Sequence, residues 1–255
     1  MEYLVVFIFG VIIGSFLNVC IYRLPLNISI VKPRSFCPFC EKTIAWYDNV
    51  PLISYILLGG KCHGCKKPIS FRYFIVELLT ALLSVGLFYY FSLSAAFFVY
   101  WIFVCSLIAV TFIDIEYQEI PDEISIPGIF AGLILITVFK LHGSGTYIPS
   151  FVNSSLGIIA GGGSMFLLGI VGEFIFKKEA LGGGDVKLMA MIGAFLGWKL
   201  VLLTFFIAPL FGSMAGMFLK IRFKREIIAY GPYLSLAAII SLMYGNKILR
   251  YLMGY

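Results

Sequence analysis

The chain has 255 residues, 61% of them hydrophobic and 13% charged, with a mean hydropathy of +1.00 and a formal net charge of +6. A water-soluble domain of this size exposes far more charge, so composition excludes one and calls for a multi-span membrane protein. The basic balance follows from where Lys and Arg fall between the apolar runs, and it supports no nucleic-acid partner.

A spanning helix needs roughly 20 mostly apolar residues, because about 30 Å of hydrocarbon is crossed at 1.5 Å per residue. The first such run is 3–22. It opens with "MEYLVVFIFG", carries the acidic Glu2 with no basic n-region, and is followed by no small-residue cleavage site, so it reads as a retained span.

The segment 23–72 is the one soluble stretch of any size. It carries Cys37 and Cys40 as one C-x-x-C pair and Cys62 and Cys65 as a second, with 21 residues between the pairs. Each C-x-x-C turn points two sulfurs the same way, so two of them bring four thiolates to one Zn2+. Disulfides are the competing reading, but the charge pattern places this segment in the reducing cytoplasm. His63 lies within the second pair, and the four cysteines are preferred over it as ligands. With few apolar anchors here, a structural metal would supply much of the folding energy.

Further spans follow at 73–91, 94–113, 124–139, 151–176, 186–198, 200–219 and 229–246. The fold expected is all-α and polytopic, with about eight transmembrane helices and a small cytoplasmic zinc-ribbon-like subdomain between spans one and two. Three parts are marked: 1–22 as the first span, 23–72 as the cysteine-rich zinc-binding segment, and 73–255 as the membrane core. "GGGS" at 161–164 lies inside an apolar run and reads as small-residue helix packing instead of a linker.

Fifteen of the 19 basic residues lie in 23–72, in the loop with Lys177, Lys178 and Lys187, or in the loop with Lys220, Arg222, Lys224 and Arg225. Lys140, Lys199, Lys247 and Arg250 fall on the opposite side. Short loops rich in Lys and Arg stay cytoplasmic, so both termini are expected outside.

That orientation brings carboxylates together. Span three ends inward at "TFIDIEYQEIPDEISIPG", with Asp114 at its inner end and Asp122 before span four, and "EALGGGDVKL" puts Asp185 at the inner start of span six. Asp122, after Pro121, reads by itself as a helix N-cap. Asp114 and Asp185 are harder to dismiss, since edge carboxylates away from a cap need a partner. Two carboxylates that cannot both ionise are what an aspartyl peptidase uses: one keeps a proton while the other activates water. Gly182, Gly183 and Gly184 can leave helical geometry and let a substrate backbone approach Asp185, which sits near the positive end of the next helix.

Several long stretches carry a resemblance: "GSFLNVCIYRLP" at 14–25, the paired cysteines, "NVPLISYILLGGKC" at 49–62, "FRYFIVELLTA" at 71–81, "DIEYQEIPDEISIPG" at 114–128, "GGGDVKLMAMIGAFLGW" at 182–198 and "YGPYLSLAA" at 230–238. Over essentially its whole length the chain resembles the bacterial type IV prepilin peptidases, membrane aspartyl proteases of the GxGD type. The resemblance implies catalysis by Asp114 and Asp185, with Gly182, Gly184 and Asp122 in support. It implies leader removal from type IV prepilins or type II secretion pseudopilins at the inner membrane, with the active site facing the cytoplasm. It also implies N-methylation of the new terminus with S-adenosylmethionine, for which no Rossmann fingerprint appears in the chain. Glu77, one turn inside span two, is the candidate for binding the substrate amine or the methyl donor, with pairing to Arg72 or Arg23 as the plainer role.

Two readings from other classes compete: a proton- or ion-coupled transporter using the same carboxylates as a relay, and a zinc-bearing assembly scaffold. Against the transporter, the carboxylates cluster at one edge, and no pair of broken helices mirrors between two halves.

Overall fold

The computed structural model describes residues 1–139, 151–177, 182–223 and 229–253. Lys140, Lys178, Lys224 and Arg225 of the charge pattern, and the residues 178–181 leading into the glycine run, lie outside them. Among the described residues all regular structure is helical, apart from two isolated bridges. Among the described residues six helices are long and apolar enough to cross a membrane, which makes this a multi-pass membrane protein.

The chain forms two compact units, Met1–Ser92 and Leu93–Tyr255. In the first, α1 (Glu2–Arg23) packs against α3 (Phe71–Phe91). A Cβ at Gly10 would lie 2.6 Å from the Ala81 Cα, and one at Gly14 would lie 2.7 Å from the Glu77 Cα. Only glycine lets the backbones meet so closely, the usual device where apolar lipid leaves little hydrophobic drive between helices. Arg23 ends α1 buried, and its guanidinium donates to the carbonyls of Ser29 at 2.8 Å and Pro33 at 2.7 Å, shaping the exit of the chain.

Between these helices come a short 3-10 turn (Trp46–Asn49), α2 (Ile53–Leu57) and two knuckles built alike. In one, the Cys37 N–H donates to the Lys42 carbonyl and the Glu41 N–H to Cys37; in the other, Cys62 donates to Lys67 and Lys66 to Cys62. Glu41 and Lys66 share the same left-handed backbone, with φ of 56° and 58°. The bridges Phe36 to Thr43 and Lys61 to Pro68 close the two turns in the same way.

The second unit contains α4 (Ala95–Tyr117), α5 (Asp122–Phe139), α6 (Phe151–Phe176), α7 (Gly183–Phe223) and α8 (Gly231–Met253). α7 is the centre, packing against α5, α6 and α8, while α4 packs on α5 and α8. From Leu188 to Leu196 α7 is buried at every position, and Phe195 stacks on Phe103 of α4 with ring centroids 4.6 Å apart. Leu210, Met214 and Phe218 farther along α7, and Phe166, Leu167 and Phe174 on α6, are exposed, as lipid-facing side chains must be.

A straight helix of 41 residues would run roughly 60 Å, about twice the hydrocarbon thickness. α7 breaks at Gly197, whose φ of 77° and ψ of 173° are non-helical. The break falls where the sequence separates spans six and seven, so the eight expected spans correspond to eight helical segments, although α8, with Lys247 and Arg250, is less apolar than the six. Of the glycines at 161–163, Gly161 packs against the Met189 backbone while Gly163 has open space, and Gly157, outside that stretch, sits directly against Gly193 of α7.

Candidate functional site

α4 extends one turn beyond the predicted span, so Asp114 lies within its last turn instead of after it. Gln118 closes the helix in the left-handed conformation and returns its N–H to the Asp114 carbonyl at 3.0 Å. The Asp114 side chain is 6% exposed. Its Oδ2 accepts the backbone N–H of Gly231, the first residue of α8, at 2.7 Å, and so faces the positive end of that helix.

Asp185 occupies the first turn of α7, and its N–H donates to the Gly182 carbonyl at 3.1 Å. Its neighbour Gly184 packs on Ile120, just past the end of α4, and Tyr230 directly precedes the Gly231 that binds Asp114, so Asp185 and Tyr230 both lie toward the Asp114 end of the unit. The ends of α4, α7 and α8 thus gather two carboxylates and a tyrosine at one end of the unit.

The glycines work differently from the sequence expectation. Gly183 and Gly184 are already within α7, and none of Gly182, Gly183 and Gly184 takes a positive φ. Gly184 is required by a close approach, since a Cβ there would lie 2.9 Å from the Cβ of Ile120 in the α4–α5 connection. Gly183 has open space around it, and a Cβ at Gly182 would make ordinary contact with the Asp185 carboxylate at 3.5 Å.

Asp122 is the first residue of α5 and serves a partner other than its own helix end. Both of its carboxylate oxygens accept from Lys187 Nζ, at 2.6 and 2.7 Å, two residues beyond Asp185.

In the first unit, the sulfurs of Cys37, Cys40, Cys62 and Cys65 all lie within 4.8 Å of one another, and the Cys37 and Cys65 sulfurs are 3.8 Å apart. Tetrahedral zinc with Zn–S bonds of 2.3 Å has sulfurs about 3.8 Å apart, so the donor set fits the metal. The Cys62 thiol is drawn down to about 6 by the backbone N–H of Cys65, helped by the Cys37 and Cys65 thiols. Cys65, although the Lys67 N–H pulls it down, is pushed up to about 11 by desolvation and by its sulfur neighbours. One thiolate forms readily and the next resists, and a dication would relieve that resistance. His63 turns instead to Asp48, at 3.1 Å.

Glu77 is buried in α3, and its Oε2 accepts the Leu52 N–H at 2.7 Å. Arg23, offered as a partner from the sequence, is committed to the loop carbonyls described above.

Comparison with known proteins follows the same division. Residues 8–91 match a family profile described as the bacterial peptidase A24 N-terminal domain, and residues 101–217 match the type IV leader peptidase family. A Myxococcus xanthus protein named prepilin leader peptidase/N-methyltransferase is 39% identical over 86% of this chain, which spans 63% of that relative's length. Proteins of the same name from Aeromonas hydrophila and Pseudomonas aeruginosa are 34% and 33% identical, over 96% and 94% of this chain and 92% and 90% of their own. The chain belongs to the type IV leader peptidase family. No solved structure matches it.

The two matched regions of this leader peptidase family member fall on its two compact units, with Asp114 and Asp185 in the second and the four cysteines in the first. Nothing in these similarities supports the transporter reading. The pattern "YGPYLSLAA" assigns no task to any of its residues, and Gly231 is not singled out by it. The available signal was a Gly followed by Pro at a helix start, which fixes where a free N–H points.

Proposed function

We propose that the protein is a membrane aspartyl endopeptidase that removes the basic leader from prepilins or pseudopilins, with Asp114 and Asp185 as its catalytic residues. The observation that carries this reading is that Asp114 and Asp185, remote in sequence, lie at helix ends joined by the Gly231–Asp114 hydrogen bond and the Gly184–Ile120 contact. So paired, they hold one proton between them. The ionised carboxylate takes a proton from water as its oxygen attacks the scissile carbonyl carbon, and the protonated one donates to the carbonyl oxygen. The tetrahedral intermediate then collapses: the leaving nitrogen takes the proton that the base had acquired from water, the C–N bond breaks, and a hydroxyl of the intermediate returns its proton to the other carboxylate as the new N-terminus departs.

The distribution of Lys and Arg supports a cytoplasmic position for this end of the bundle, and the resemblance to the prepilin peptidases implies the bacterial inner membrane. There the acidic connection from Asp114 through Glu116, Glu119 and Asp122 would attract a basic leader while the substrate's apolar segment stays in the bilayer. Zinc would be held by Cys37, Cys40, Cys62 and Cys65 and would stabilise the first unit.

The relatives' names support a second activity, N-methylation of the new terminus with S-adenosylmethionine as the source of the methyl group. No residue arrangement described above forms a cradle for that donor. Glu77, its candidate ligand, spends one oxygen on Leu52.

The test is cleavage of a prepilin peptide by the full chain in detergent. Asp114→Asn and Asp185→Asn should each abolish cleavage with an unchanged thermal melt, and full activity in Asp185→Asn overturns the reading.

A further inference from the structure

Asp114 is held by main chain, and at a point where no side chain fits. The Gly231 N–H donates to Oδ2 at 2.7 Å, and a Cβ on Gly231 would lie 2.7 Å from that same oxygen, 3.3 Å from Cγ and 3.4 Å from the Asp114 Cβ. Gly231 is buried and opens α8, and Pro232 follows it. A proline in the first turn needs no N–H of its own and arrives with its φ already set, so the direction of the preceding donor is fixed by the chain.

We infer that Gly231 is a positioning residue of the peptidase: its N–H pins one oxygen of Asp114, so that the other is held in a fixed direction for the reaction, and its missing Cβ is what makes room for the pinned oxygen. The inference rests on the proposed catalytic role of Asp114. A hydrogen bond from a backbone amide to a carboxylate is shorter and stronger than one between neutral groups, so this contact also favours Asp114 as the ionised partner, the base. Asp185 then carries the shared proton. The atom a new Cβ would strike is the tip of a side chain, which can turn aside. Gly231→Ala should therefore fold while displacing the carboxylate, and a misplacement of about 1 Å can cost on the order of 100-fold in rate.

The experiment compares full-length wild type, Gly231→Ala and Gly163→Ala in detergent; Gly163, with nothing within 4 Å of its would-be Cβ, is the control for inserting a methyl group into a helix. Cleavage of a prepilin peptide is expected to fall about 100-fold in kcat for Gly231→Ala with KM nearly unchanged, while Gly163→Ala stays near wild type. Methylation of an already cleaved peptide and the thermal melt should not move, which a merely structural role for Gly231 would not allow. Wild-type kcat in Gly231→Ala, with Asp114→Asn inactive, overturns this inference alone; cleavage by Asp114→Asn would instead overturn the catalytic reading beneath it.

Should Gly231→Ala fail to fold, the contact is read without touching the glycine. Labelling Tyr at its carbonyl carbon and Gly at nitrogen selects only the two Tyr–Gly amides of the chain, at Gly231 and Gly245. One amide proton should move upfield in Asp114→Ala as its acceptor is lost. If neither moves, the hydrogen bond does not form and the inference falls.

Discussion

Asp122 and Lys187 form a two-oxygen ion pair, at 2.6 and 2.7 Å, that ties the start of α5 to the first turn of α7. The side chains remain 51% and 41% exposed, so water and salt screen the pair. Such pairs contribute about 0 to 1 kcal/mol. Asp122→Asn and Lys187→Met should each leave cleavage within roughly fivefold of wild type. The double variant should be no worse than either single one, because both remove the same contact. A steady-state double-mutant cycle checks this, and a loss in Asp122→Asn as deep as that in Asp114→Asn would place Asp122 in the chemistry.

Metal analysis of the purified chain should find one zinc per molecule, absent when Cys37 or Cys62 is replaced by Ser. Four sulfurs within 4.8 Å of one another would be joined across the two knuckles by the metal they bind. Chelation should therefore make the segment between α1 and α3 sensitive to protease while leaving the second unit resistant. A metal-free preparation with unchanged proteolysis would refute the zinc assignment.

Glu77 separates a clamp from a ligand site. Leu52, whose N–H it accepts, sits at a φ of 59°, an unusual conformation for a residue with a branched side chain. Glu77→Gln keeps a carbonyl acceptor for that N–H, so both activities should stay near wild type. Glu77→Ala removes the acceptor and should expose the Val50–Ser54 stretch to protease. Loss of methylation alone in Glu77→Gln would return Glu77 to the methyl-donor or amine site.

Gly197 breaks α7 at a backbone angle available in practice only to glycine. Gly197→Ala should lower stability by about 1 to 3 kcal/mol, the usual cost of holding a side chain in a strained region. A thermal melt in detergent measures it, and an unchanged midpoint would mean that the break is not strained.

The helical spans, the paired knuckles and the acidic residues at the ends of spans three and six were legible in the chain itself, because apolar run length, Cys spacing and Lys and Arg distribution are local patterns with a direct physical meaning. Even the division of α7 could be read, since its apolar run is too long for one crossing and contains "GW" at 197–198. The reason for Gly184 could not. Flexibility is what a glycine triplet announces in one dimension, whereas the need here is the Ile120 side chain arriving from another connection. Asp122 likewise reads as a cap until Lys187 is placed beside it.

What the sequence by itself determined is the class of protein, and it singled out the four cysteines and the two acids by residue type and spacing. Only the tertiary structure decided which groups hold those acids: the Gly231 N–H on Asp114, Ile120 against Gly184, and Lys187 on Asp122. The physical reason is that these contacts join helix ends far apart along the chain, and a backbone donor leaves no mark in the sequence until folding aims it.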